Sequence, residues 1–189
     1  RKDLDSYVRE AMATASSGLS TTVSDYEVRS LCDFGGFETV AELSGRLGHV
    51  LVERSVRYLT WRYVNKPASR YIRLGCFRQS KPVGYLVLGL RAIGNRMDGH
   101  IVDLVGDGEK AVHVLMRAAV SLLRTKVATL SVLIQEWSPY IEILRSAGFR
   151  FKQSRLPLIV RVNDPAVISE DRLVDPARWF IMHGDSDQV

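Results

Sequence analysis

The stretch IVDLVGDGEKAVHVLMRAAV at 101–120 sets two glycines around an aspartate where an apolar run gives way to a helical pattern. A helix N-terminus presents unpaired N–H groups and the positive end of the helix dipole. A tight loop there suits a phosphate-bearing ligand. Gly106 and Gly108 permit backbone geometry and close approach that side chains block. The segment lacks the GK[ST] ending of a Walker loop, and GDGEKA meets the dinucleotide fingerprint only with Ala111 in place of its third glycine. A plain strand-to-helix turn with Asp107 as helix cap reads from the same letters. Both readings stand at this point.

The other chemistry-bearing residues are scattered. Cys32 and Cys76 share no spacing with His49, His100, His113 or His183, so no metal pattern is present and no disulfide is called for. Cys76 reads as core and His113 as solvated. A reducing cytoplasm is the default. The net charge of +5 admits anionic partners, nucleic acid among them, but the 26 lysines and arginines are spread rather than clustered and no nucleic-acid signature accompanies them. No apolar stretch is long enough for a membrane span and no secretory leader is visible. The chain opens at Arg1, which leaves room for an upstream domain, and homo-oligomers are open too.

Several elements must position the corner. Residues 1–10 read as a short amphipathic helix and 11–24 as a loop or linker. Strand character follows at 26–34, with Val28, Ser30 and Cys32 on one face. Helical spacing covers 37–51 and 55–65, the latter with Val56, Leu59 and Tyr63 aligned. Two strands at 71–78 and 83–93 flank the turn QSKP, NRMDG at 95–99 reads as a further turn, and 100–105 is the strand entering the corner. Residues 109–126 are strongly helical, with Val112, Leu115, Ala119 and Leu122 inward and Arg117, Ser121 and Arg124 outward. ATLSVLI at 128–134 reads as a buried strand parallel to 100–105, with that helix as crossover. SPYIEILRSAGF at 138–149 is a helix with Ser138 as N-cap and Gly148 as its stop. Strands at 150–162 and 178–184, around an exposed loop, close the chain. The fold class is α/β: a mixed, mostly antiparallel sheet with one parallel β-α-β crossover and flanking helices.

This order, with IVDLV, the loop and helix 109–126, ATLSVLI, and a helix ending in "GF", resembles the GNAT acyltransferase fold over about 26–184. Residues 1–24 then form an N-terminal helix and linker, and 25–189 a GNAT-like domain. RSVRYLTWRYVNKPASRY and WFIMHGDSD look like a subgroup of cell-envelope or polysaccharide settings. The resemblance implies acetyl-CoA, or another acyl-CoA, and direct transfer to an amino group of a small molecule or sugar. It assigns the cofactor to Leu104, Val105, Gly106, Asp107, Gly108, Glu109, Lys110 and Ala111, with strand amides meeting the thioester oxygen.

Departures accompany the match. The family's R/Q-x-x-G-x-G/A positions fall on Asp107, Lys110 and Val112, its usual tyrosine on Leu144 and its asparagine on Trp137. A base and an acid are still needed for direct transfer. Asp103 is the candidate base, or a salt-bridge partner. Tyr140, one turn from the usual tyrosine, is the candidate acid, or a packed helix residue. Trp61, Arg62, Tyr71, Asp185 and Asp187 fall on the acceptor side, where carboxylates suit a cationic amine and Trp61 could stack on a sugar. Core anchoring by Trp61 and Tyr71 is the competing reading. The departures equally fit a non-catalytic module for ligand sensing or partner binding.

Overall fold

The computed structural model describes residues 6, 7, 9, 10, 13, 24–48, 50–65, 71–153 and 170–185. Strands β1 (Tyr26–Ser30), β3 (Tyr71–Arg78), β4 (Lys81–Ile93), β5 (Arg96–Gly106) and β6 (Thr129–Val132) form one sheet in the order β1-β3-β4-β5-β6. Neighbours are antiparallel except β5 and β6, which run parallel. Between those two runs the crossover helix α3 (Glu109–Leu123). Helices α1 (Glu38–Leu43), α2 (Val56–Tyr63), α4 (Ile141–Ser146) and α5 (Glu170–Val174) flank the sheet, and a parallel pair of two-residue strands joins β2 (Val50–Leu51) to β7 (Trp179–Phe180).

Alternation along the strands divides the apolar residues between two faces. One face packs Leu74, Leu86, Leu88, Ile101 and Leu104 on α3 through Val112, Leu115, Ala119 and Leu122. The other packs Tyr85, Val87, Val102 and Val105 against Phe34, Phe37, Leu59 and Tyr63. A bulge sits between them. Val87 faces Asp103 across the β4–β5 pair, yet Leu88 faces Ile101, so Val102 is the extra residue. The bulge sends Val102 and Asp103 to the same side, which takes Asp103 off the α3 face and toward α2.

Most expected elements appear, with shifted ends. The strand at 26–34 stops at Ser30, and Leu31 rather than Cys32 turns inward. The segment 37–51 breaks after Leu43 into a 3-10 turn and then β2. The turn expected at 95–99 is only Gly94–Asn95, because β5 already starts at Arg96 and pairs with Ile93. Helix 109–126 ends at Leu123, and β6 is a partly exposed edge rather than a buried strand. The described part of 150–162 carries no strand, the closing strand is only Trp179–Phe180, and α5 occupies part of the expected loop. Ala13 is helical where a linker was expected; the remainder of 1–24 and of 150–169 lies largely outside the described residues.

Candidate functional site

The site begins where β6 leaves β5. Their pairing covers only Asp98 to Ile101 against Thr129 to Val132, while β5 continues to Gly106. Beyond that point the amides of Leu104 and Gly106, two residues apart on one strand, point the same way. Leu104 N–H donates to Asp103 Oδ1 at 3.0 Å, and Gly106 N–H donates to the Tyr140 hydroxyl oxygen at 3.3 Å. Two backbone donors on this edge are thus met by the chain's own side chains.

The corner that follows is built by glycine. A β-carbon on Gly106 would lie 2.7 Å from Val112 Cγ2 and 3.2 Å from Val112 N, so strand end and helix start approach only because none is present. Gly108 is the N-cap of α3 with φ +82, and no side chain caps the helix. Asp107 therefore does not cap it, contrary to the plain-turn expectation. Its N–H bonds Val83 O at 2.7 Å and that of Gly108 bonds Gly106 O at 3.1 Å. These two amides hold the turn, which leaves the first-turn donors of Glu109, Lys110 and Ala111 for an anion. Lys110 is exposed and Ala111 buried.

Asp103 is wholly buried and receives four bonds. Arg54 Nε (3.0 Å) and Leu104 N–H reach Oδ1, while the hydroxyls of Tyr63 (3.1 Å) and Tyr85 (3.3 Å) reach Oδ2. Arg54 extends the network, its Nη1 donating to Val52 O at 2.9 Å and its Nη2 to Asp185 Oδ2 at 2.7 Å. Its guanidinium also lies 4.8 Å from the Phe180 ring centroid. Burial opposes the charge on Arg54, but Asp103, Tyr85 and Asp185 together hold it above the ordinary guanidinium range. Burial, reinforced by Asp103, keeps Tyr63 and Tyr85 protonated. Asp185 is raised by burial against the pull of Arg54, and its Oδ1 has no hydrogen-bond partner among the described residues.

Tyr140 packs edge-on against Phe180 at 6.4 Å and is buried. Burial, only partly offset by the Gly106 N–H, pushes its hydroxyl up to about 12, so it carries its proton at neutral pH. Tyr140 thus stands at the strand edge, as a packed residue that also touches an edge amide. Leu144, the position that the resemblance aligns with a tyrosine, is plain core.

The acceptor candidates divide. Arg62 Nε donates to Gly184 O at 3.1 Å, which brings it beside Asp185. Tyr71 is buried edge-on against Tyr63 at 5.2 Å, in the core manner. Trp61 is 60% exposed and tilts against Tyr58 at 5.8 Å. Burial first, then the Asp185 charge, raises the Tyr58 hydroxyl. Asp187 lies outside the described residues. Sequence reasoning missed Arg54 and the hydroxyl roles of Tyr63 and Tyr85. It also missed the contact of His183 with His100, whose ring centroids are 5.3 Å apart. Arg54 sits in LVERS, where neither period nor motif marks it, and its carboxylate partners are 49 and 131 residues away.

Among the described residues no helix is long and apolar enough to cross a membrane, and no cluster of metal-binding side chains occurs. No family model and no curated protein matches the sequence. Solved structures do match. A Trypanosoma brucei acetyltransferase superposes over 72% of this chain and 100% of its own, with a TM-score of 0.54 and 19% identity. An aminoglycoside acetyltransferase from an uncultured soil metagenomic sample, in complex with sisomicin, covers 74% of this chain and 97% of its own at TM-score 0.55 and 13% identity. Glucosamine-6-phosphate N-acetyltransferase from Arabidopsis thaliana covers 73% and 100%, at 0.54 and 11%. The five-stranded sheet, its single parallel pair and its flanking helices are therefore those of the GNAT acetyltransferase fold.

Proposed function

We propose that the chain is an acyl-CoA-dependent N-acyltransferase, with residues 25–189 as the working unit, acting on an amino group of a small molecule or sugar in the cytoplasm. The observation that carries this reading is the pair of amides at Leu104 and Gly106 on an edge vacated by β6, continuous with an uncapped helix start. The residues fit such a cofactor: Glu109 to Ala111 offer backbone donors for the pyrophosphate, Lys110 adds charge, and Leu104 to Gly106 face its acyl end. The bound thioester supplies an activated acyl group.

The chain's own residues then have distinct tasks. Gly106 N–H would be the donor for a thioester carbonyl oxygen, in the place the Tyr140 hydroxyl now fills. Tyr140, still protonated at neutral pH, gives its proton to the departing sulfur. An acceptor nitrogen held beside these groups would have to surrender a proton. Asp103 can take that proton only when one of its four donors gives way. Asp185, whose Oδ1 has no hydrogen-bond partner among the described residues, would anchor a cationic acceptor beside Arg62 and the Tyr58–Trp61 pair, with Asp187 close in sequence.

A second reading has its own support. Leu144 fills the usual tyrosine position with core packing, and Asp107 and Lys110 replace the usual loop residues, which suits a GNAT-fold module that binds a ligand or partner without transfer. Calorimetric titration with acetyl-CoA and with free CoA tests the first reading, followed by thiol release with a panel of amines. Micromolar binding with thiol release supports the transferase. Binding without release from any amine supports the module, and no binding of either nucleotide overturns cofactor use.

A further inference from the structure

One guanidinium reaches what covers the two edge amides, directly at Asp103 and through Phe180 at Tyr140. Arg54 bonds Asp103, whose Oδ1 it shares with Leu104 N–H. It stacks on Phe180, which packs edge-on against Tyr140, the residue bonded to Gly106 N–H. It also grips Asp185, whose Oδ2 accepts the N–H of Met182 and so closes the turn 182–185. That turn lies directly on the strand: a β-carbon on Gly184 would sit 2.9 Å from Val102 O. Phe180 and Met182 are buried in the same core cluster as Tyr140, Ile101 and Leu104.

We infer that Arg54 is a positioning residue that seats the segment Trp179–Asp185 against β5 and thereby keeps the Leu104 and Gly106 amides covered by the chain itself until a thioester displaces that cover. The inference rests on the acyl-CoA reading for its ligand, but the seating is a property of the free protein. A carbonyl oxygen arriving at Gly106 N–H must move the Tyr140 hydroxyl. Tyr140 leans on Phe180, and Phe180 on Arg54, so the displacement is resisted by a charge anchored at both ends. A population held in the covered state lowers apparent affinity by the fraction that is open. Weakening the anchor therefore strengthens ligand binding, whereas damage to a merely structural residue would weaken it.

The test uses the full chain with Arg54→Lys, which keeps the charge but loses the fork that reaches both carboxylates. Phe180→Leu, which leaves every ion pair intact, is the second variant. Two readouts are taken: amide hydrogen exchange by NMR, and calorimetric titration with acetyl-CoA. Faster exchange at Leu104, Gly106, Met182 and Asp185 with β3 and β4 unchanged, together with roughly three- to tenfold tighter acetyl-CoA binding, is the expected result. Unchanged exchange at those four amides, or weaker acetyl-CoA binding in both variants, overturns it. Should Arg54→Lys fail to fold, Phe180→Leu carries the comparison alone. If neither wild type nor variants bind acetyl-CoA, the cofactor reading fails, and the exchange at Leu104 and Gly106 by itself decides the role of Arg54.

Discussion

Asp103 gathers four donors around two oxygens in a place with no solvent exposure, and that arrangement makes its neighbours interdependent. Removing one member of a buried ion pair strands the other, at a cost of about 3–5 kcal/mol. Asp103→Ala is therefore expected to lose that much in urea denaturation, since Arg54 would keep only Asp185 as a charged partner. Tyr63→Phe deletes a single bond to the same carboxylate and should cost about 1–3 kcal/mol. Equal losses in the two variants would contradict the hierarchy. Tyr140→Phe separates chemistry from packing. The ring and its contact with Phe180 stay, so the fold should hold, while loss of the acid should slow thiol release with an amine roughly 10²–10⁴-fold. A fall in stability that accounts for the whole loss of turnover would place Tyr140 in the core only.

At the level of elements, the corner depends on two glycines for different reasons. Gly106→Ala drives a methyl into Val112 and should cost about 1–3 kcal/mol. Gly108→Ala meets no atom within 4 Å but forces a side chain into φ +82 with ψ 170, a region essentially confined to glycine, at about 1–3 kcal/mol. Gly108→Asn should recover little of the second loss, which thermal melts would show, since the tolerance of asparagine is for the left-handed helical region and not for ψ 170. Much of this layer was legible beforehand. Helix α3 is long enough for its period to declare which residues face inward, and Gly148, at φ +89, ends α4 as its type suggests. The parallel placement of β6 followed from the crossover. Short pieces escaped because neighbours rather than local preference define them. β2 and β7 are two residues each and exist through pairing with one another across the chain. The bulge at Val102 leaves no mark in an apolar run, yet it decides which way Asp103 points.

Across the whole molecule, the seating of the C-terminal segment couples stability to pH. His183 meets His100, which also shares a 2.8 Å hydrogen bond with Ser131 Oγ of β6. Burial lowers both imidazoles; Asp98 pulls His100 the other way, Arg91 adds to its lowering, and His100 adds to that of His183. The folded protein therefore binds fewer protons than the unfolded chain just below the free histidine value of about 6.5. Their contribution is fully present above that value and declines as pH falls through it toward the folded values. Asp185 has the opposite sign: its raised carboxyl favours folding in acid, and that contribution is lost as pH rises through its folded value. Urea midpoints taken from pH 7.5 down to 5 should drop in wild type and flatten in His183→Gln. An unchanged slope in that variant would remove the histidine pair from the explanation.

The ion pair from Arg54 to Asp185 also has a consequence for the order of assembly. Its ends are 131 residues apart, so a chain growing from its N-terminus completes β1 to β6 and α3 before the second carboxylate exists. Until then the core already holds Arg54 against Asp103 alone, and Phe180 and Met182 are not yet in place beside Tyr140. Contacts of such long separation form late and slowly. Asp103 and Tyr140, which meet the Leu104 and Gly106 amides, are thus made before Phe180 and Asp185, the residues that brace them through Arg54.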